Sequence, residues 1–436
     1  MPANDPIDRL LTGVILPPVQ AVTQTFPAPE LPDPAATLAA DLRARLPADL
    51  RGRRIAVACG SRGIDRLALL VRIAAACLRE RGAEPFIVPA MGSHGGATAA
   101  GQTALLAGLG VTEASVRAPI CSDMAVCEIG RTADGEPVLI DRLSCSADGI
   151  VLLNRIKPHT SFRGPYESGL IKMLTIGLGK QAGAERVHSL RYERMADHLV
   201  QAGRVALGAL QIVCAIGILE NSYGRIAELH VLASGEILDR EPELLRKART
   251  YQPRLYLDEI DVLIVGEIGK EISGTGMDTN IVGRFHTAAA SGGPRTTKLG
   301  LLDLSAQAGG NANGMGLADF VTRRLADKID YTATYLNTLT STEPNSSRLP
   351  MVLDHDRQVL QACVKLCGRR DPAQVRLIVI RNTKQLGQVF YSPAALSAAC
   401  CCDRLQVTEA CRSLPFDRAG NLTLFAPDPD KELGHA

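Results

Sequence analysis

"RRIAVACGSRGIDRLALLVRIAAACLRERG", residues 53–82, is the stretch that decides the fold class. Ile55 to Cys59 form a short apolar run closed by Gly60, which reads as a buried strand entering a loop. Leu67, Leu70, Ile73, Ala74 and Cys77 then fall at helical spacing up to a stop at Gly82. The next strand and loop read as "PFIVPAMGSHGG" (85–96), and a third as "GIVLLNRIKPH" (149–159). Strands alternating with helices predict an α/β protein with a mostly parallel sheet covered on both faces. Ligands of such sheets gather at the loops leaving the carboxyl ends of the strands. Those loops carry Ser61 and Arg62 after the first strand, His94 after the second and His159 after the third. A single loop histidine or arginine is ordinarily a surface group; several at one sheet edge point to a site.

A polar, proline-containing stretch at 246–260 marks a domain boundary. The expected division is an amino-terminal α/β domain over 1–258 and a carboxyl-terminal one over 259–436, its last residues returning to the first domain. An active-site cleft is expected between the two. "DVLIVGEIG" (261–269), "TKLGLLDLS" (297–305) and "VRLIVIRNT" (375–383) read as strands of the second domain. The Gly-rich segments 271–284 and 307–320 read as loops: plain long turns, or walls of that cleft. Residues 17–35 are proline-rich, with no element assigned. No GxGxxG fingerprint after a strand, Walker A sequence or GxSxG elbow is present.

Composition narrows the classes. A net charge of +2 over 436 residues gives no global electrostatic reason to bind nucleic acid or an anionic membrane. No apolar run approaches the ~18 residues of a membrane span. The amino terminus lacks a cleavable signal pattern, so a cytoplasmic location is the expectation. Twelve cysteines are scattered without a CxxC pair, and Cys59, Cys77 and Cys214 sit in apolar runs as small hydrophobes. Adjacent Cys400, Cys401 and Cys402 would point in different directions, which suits neither zinc nor an iron–sulfur cluster.

One lysine stands out. Lys172 lies among Leu170, Ile171, Met173 and Leu174, where a charge must snorkel to water or be tied to a partner. His188 follows sixteen residues later. "NRIKPHTSFRGPYESGLIKMLTIGLG" (154–179) with "ERVHS" (185–189) resembles the signature segment of the nickel-dependent lactate racemase family. "MGSHGG" before it and "DVLIVGEIGKEISGTGMDTN" after it fit the same family in the same order. The resemblance implies a nickel-pincer nucleotide cofactor (pyridinium-3-thioamide-5-thiocarboxylic acid mononucleotide nickel). Lys172 would be acylated by one of its arms, and His188 would be the protein's nickel ligand, square-planar coordination suiting Ni(II). An acylated Lys172 carries no charge to desolvate.

The resemblance also makes His94 and His159 the paired acid–base residues of a 2-hydroxy acid racemase or epimerase working by hydride abstraction and return. Imidazole titrates near neutral pH, where such work is most effective. Ser61 and Arg62 would contact the cofactor, with Arg62 also orienting substrate. The implied partners are a small 2-hydroxy acid and the enzymes that make the cofactor. Three features depart from the family: Cys59 where an acid is common, the longer insert "TSFRGPYE" (160–167), and the positions after Asp278 and Asn280. There, Gly283 and His286 stand where the lactate enzymes place glutamine and lysine, with Arg284 between, so Arg284 and His286 are the substrate-binding candidates. The implied substrate is a 2-hydroxy acid other than lactate, larger or polyhydroxylated. Two other readings are a zinc-type metalloenzyme using His94, His159 and His188 directly, and a non-catalytic nucleotide- or cofactor-binding protein.

Overall fold

The computed structural model describes residues 6–400 and 402–425. Its strands are β1 (Gln20–Gln24), β2 (Arg54–Cys59), β3 (Glu84–Pro89), β4 (Val126–Arg131), β5 (Pro137–Asp141), β6 (Gly149–Arg155), β7 (Ile212–Glu220) and β8 (Ile226–Leu232). There follow β9 (Glu259–Val265), β10 (Arg295–Leu301), β11 (Phe320–Thr322), β12 (Met351–Leu353), β13 (Leu377–Ile380), β14 (Gln388–Tyr391) and β15 (Leu405–Val407). The chain divides into two compact units, one of residues 27–252 and one joining the residues up to Phe26 with those from Pro253 onward.

The unit of residues 27–252 holds a five-stranded sheet in the order β3-β2-β6-β7-β8. The first four strands are parallel and β8 closes the edge antiparallel to β7. Ile55, Val57 and Cys59 alternate onto one face with Val151, Leu153, Ile216 and Ile218, against the helices Pro34–Arg45 and Leu67–Glu80. In the second helix Leu67, Leu70, Val71 and Leu78 are buried, roughly 1.5–3 kcal/mol each for full burial. Gly217 faces the other way, toward Leu170 and Leu244, so helical segments cover that face too. β4 and β5 form a separate antiparallel hairpin. Because β2 lies between β3 and β6, the loops after Cys59, Pro89 and Arg155 emerge side by side where the strand order reverses.

The second unit is an eight-stranded sheet, β12-β11-β10-β9-β13-β14-β1-β15. The five strands from β12 to β13 are parallel; β14, β1 and β15 add antiparallel pairings. Two clusters of buried side chains contain alternate residues of its strands, for instance Leu263 and Val265 in one and Val262 and Ile264 in the other. Sequence reasoning left the first residues with the domain they precede, and the structure corrects this. β1 pairs with both β14 and β15, and Gln24 is tied to Leu386 and Tyr391, so long-range backbone pairing overrides chain order. The proline-rich stretch 17–35 thus contains a strand. The Gly-rich segment 271–284 contains a short helix, Thr279–Val282, whose start Asp278 caps by accepting from Asn280 N. Cys59, Cys77 and Cys214 are buried as expected, while Cys401 lies outside the described residues. No helix among the described residues is long and apolar enough to cross a membrane.

Candidate functional site

The insert that follows β6 builds the wall of the site. Lys157 and Ser168 pair antiparallel, pinching residues 157–168 into a closed loop. Inside it the fully buried Glu167 accepts from the backbone N–H of His159 at 2.7 Å and of Gly164 at 3.2 Å. Arg249 neutralises this carboxylate at 2.5 Å, so the buried charge is paired and hydrogen-bonded. Phe162 is buried against the His159 ring, with centroids 4.5 Å apart. The residues that depart from the family pattern are therefore the ones that fix His159.

Lys172 answers to the same loop. Its Nζ lies 2.6 Å from His159 Nε2 and 5.8 Å from the centre of the Phe162 ring. His159 Nδ1 accepts the Ser161 backbone N–H at 3.0 Å. A neutral imidazole accepting at Nδ1 carries its proton on Nε2 and donates there. Its partner must then be an amine with a lone pair, since an ammonium would set two donors face to face. Burial, with the neighbouring Arg62 and Lys157 charges, pushes Lys172 down to about 7, in line with a neutral amine. The lysine of the apolar run is tied to a partner.

Lys172 ends a short helical turn, Leu170–Lys172, which continues as a π-helical turn, Met173–Gly177, closed by Leu178 N donating to Met173 O at 2.8 Å. Such turns recur at functional sites. The next helix, Lys180–Ser189, carries His188, half-buried and edge-on to Tyr192 at 6.0 Å between ring centres. Burial first, then the Lys172 charge, holds His188 down at about 4, so near neutral pH it is an uncharged imidazole, the form that binds metal. At the neighbouring strand end, Ser61 Oγ and His94 Nδ1 are 2.5 Å apart, and Arg62 is exposed beside them.

The structure thus brings Lys172 onto His159 and Ser61 onto His94, and puts Lys172 within electrostatic reach of both Arg62 and His188. Arg284 and His286 belong to the other unit, where they line a cavity of about 340 Å³ with Phe285, Gly316, Leu317, Asn345 and Arg348. The Arg284 guanidinium donates to the carbonyls of Thr296, Thr297 and Leu317 and pairs with Asp319 at 2.7 Å. His286 is buried, which lowers it to about 4. Sequence reasoning missed Glu167, Glu241, Lys180 and Gln102, all buried polar groups near the site. Only Lys180, a charge closing an apolar stretch, left a trace in the sequence. Among the described residues no three His, Cys, Asp or Glu side chains converge to hold a metal. That leaves the three-histidine zinc arrangement without a counterpart.

The carboxyl edge of this α/β sheet thus gathers a partly buried amine, an uncharged, half-buried imidazole and two further loop histidines. Residues 62–198 match the family model described as the lactate racemase N-terminal domain. No curated protein matches the chain. Among solved structures, the chain is similar to the lactate racemase apoprotein from Thermoanaerobacterium thermosaccharolyticum. The two are 13% identical, and the match covers 87% of this chain and 81% of that one at a TM-score of 0.38.

Proposed function

We propose that this protein is an isomerase, a racemase or epimerase of a 2-hydroxy acid that works with a lysine-tethered nickel-pincer nucleotide. The family match supports the racemase class. The observation that carries the rest is the Lys172–His159 contact, in which a fixed imidazole tautomer keeps the amine neutral, its lone pair available for acylation when that hydrogen bond opens. The residues fit such a group: with no three-ligand cluster among the described residues and one half-buried, uncharged imidazole at His188, they suit a metal that arrives with its own donors. Lys172 would hold the group covalently and His188 would ligate the metal. When bound, the group supplies a hydride acceptor and donor.

The remaining work belongs to side chains of this chain. His94, hydrogen-bonded to Ser61, takes and returns the hydroxyl proton of the substrate. His159, held by Glu167 and Ser161, is its partner once acylation of Lys172 ends the Lys172–His159 contact and frees the imidazole to exchange its proton. Arg62, exposed at the same sheet edge, is suited to a carboxylate. In the other unit, Arg284 is spent on backbone carbonyls and Asp319, and His286 lines the cavity beside it; His286 is the substrate-binding candidate kept there.

Co-expression with cofactor-making enzymes tests the reading through intact mass and peptide mapping. A covalent adduct on Lys172, absent from Lys172→Ala, is the expected result; an adduct on Lys157 or Lys180, or an unmodified chain holding zinc, overturns it. His188→Ala should keep the adduct but lose nickel on dialysis. Metal retained as in the parent would remove His188 as the ligand.

A further inference from the structure

Lys180 is fully buried and sits in a left-handed backbone conformation, φ +53°, at the start of the helix that carries His188. An ammonium has three protons to place; two hydrogen-bond acceptors and one carboxylate oxygen, an ion-pair partner, surround it. Pro89 O lies at 2.5 Å, Gln102 Oε1 at 3.2 Å and Asp141 Oδ2 at 3.2 Å. Each of the three belongs to a different element: the end of β3, the helix Ala99–Gly108 and the end of β5. Gln102, also fully buried, turns its amide nitrogen to Gly92 O at 2.8 Å and His94 O at 3.3 Å. One buried ammonium and one buried amide therefore run from the His188 helix to the backbone of His94 itself.

A second set of contacts follows the same line. Gly92 N donates to Gly177 O at 3.0 Å, joining the His94 loop to the π-helical turn. The approach is close: a Cβ on Gly177 would stand 2.7 Å from Ala90 O. We propose that Lys180 and Gln102 are positioning residues that lock the His94 loop to the helix bearing His188, so that the two histidines move as one body. Loops at strand ends are ordinarily the least stable part of such a fold. A salt-bridged ammonium in a dry interior is a stiff tether, because losing any partner leaves a buried polar group unmet. The functional meaning of the lock rests on the roles proposed above for His94 and His188.

The test reads each histidine separately, by hydrogen exchange at its backbone amide and peptide mass spectrometry on the full chain without cofactor, since the lock holds the His94 backbone while its ring is exposed. Gln102→Glu keeps an acceptor for Lys180 but loses both amide donors. It should raise the His94 rate at least about fivefold, the local opening that the loss of even one of those two hydrogen bonds allows, with His188 and His159 unchanged. Gln102→Leu should also raise His94. Lys180→Met, combined with Asp141→Asn to avoid a bare buried carboxylate, should raise His94 and His188 together and spare His159. Should the double variant not fold, the two Gln102 variants decide the matter. Parent rates at His94 in folded Gln102 variants would overturn the proposal, as would an equal rise at all three histidines, which marks general loosening. If the parent chain never takes up nickel yet this pattern holds, the chemistry proposed above falls and the lock stands.

Discussion

At the scale of single residues, Lys172 is the group whose chemistry the surroundings change most. An ordinary lysine is charged until pH 10.5, whereas this one falls to about 7. The sign is that of a depressed amine: between those values the folded chain holds a neutral amine where an unfolded one would bind a proton, so neutralisation favours the fold as pH rises through that window. Competitive acylation of the cofactor-free protein, read peptide by peptide, should show Lys172 half-reactive near pH 7, while exposed lysines need a far more alkaline medium. Titration in the ordinary lysine range would contradict the fixed tautomer of His159. The need for a partner was legible in the sequence, because an apolar run cannot keep a bare ammonium. The partner was not legible, since residues 159 and 172 meet only after the loop 157–168 closes and Glu167 folds back onto His159 N.

At the scale of elements, the Lys172 turn is held at its start by a carboxyl from a distant helix. Glu241, in the helix Ile237–Thr250, is buried; its Oε2 accepts Ile171 N at 2.9 Å, and Oε1 meets no hydrogen-bond partner among the described residues. Gly169 leaves room for it: a Cβ there would lie 2.0 Å from Glu241 Oε1. Burial pushes Glu241 up to about 8, against the opposing pull of the Ile171 and Leu170 N–H groups. With a folded value above the unfolded one, the carboxyl's contribution is complete below about 4.5 and is lost as pH rises through about 8. Glu241→Gln keeps an acceptor and cannot ionise. Denaturant unfolding should therefore show the variant gaining on the parent between pH 5 and pH 8, by on the order of 2 kcal/mol. A constant difference across that range would mean the carboxyl is already ionised in the folded chain. The sequence marks Gly169 as part of a motif; the reason only glycine fits lies in a side chain seventy-two residues away.

At the scale of the whole molecule, chain order and spatial order part company. Residues 27–252 own a sheet, a core and nearly every residue of the candidate site, and they are inserted between β1 and the rest of its sheet. The segment 27–252 expressed alone should unfold cooperatively and retain the Lys172 reactivity described above, whereas removing residues 1–26 should disrupt the other unit by taking β1 from between β14 and β15. A non-cooperative 27–252 fragment would show that its core is not self-sufficient. The α/β class, the parallel strands, the loops carrying Ser61, His94 and His159, and the Lys172–His188 spacing follow from the sequence by itself. These are local matters: a period of two or 3.6, a glycine stop, a charge in an apolar run. Only the tertiary structure decided that β1 completes the far sheet, that Arg284 spends its donors on backbone carbonyls, and that Glu167, Glu241, Lys180 and Gln102 support the site. Each depends on groups far apart in the chain meeting in a dry interior, where an unmet polar atom is costly, and periodicity carries no record of such pairings.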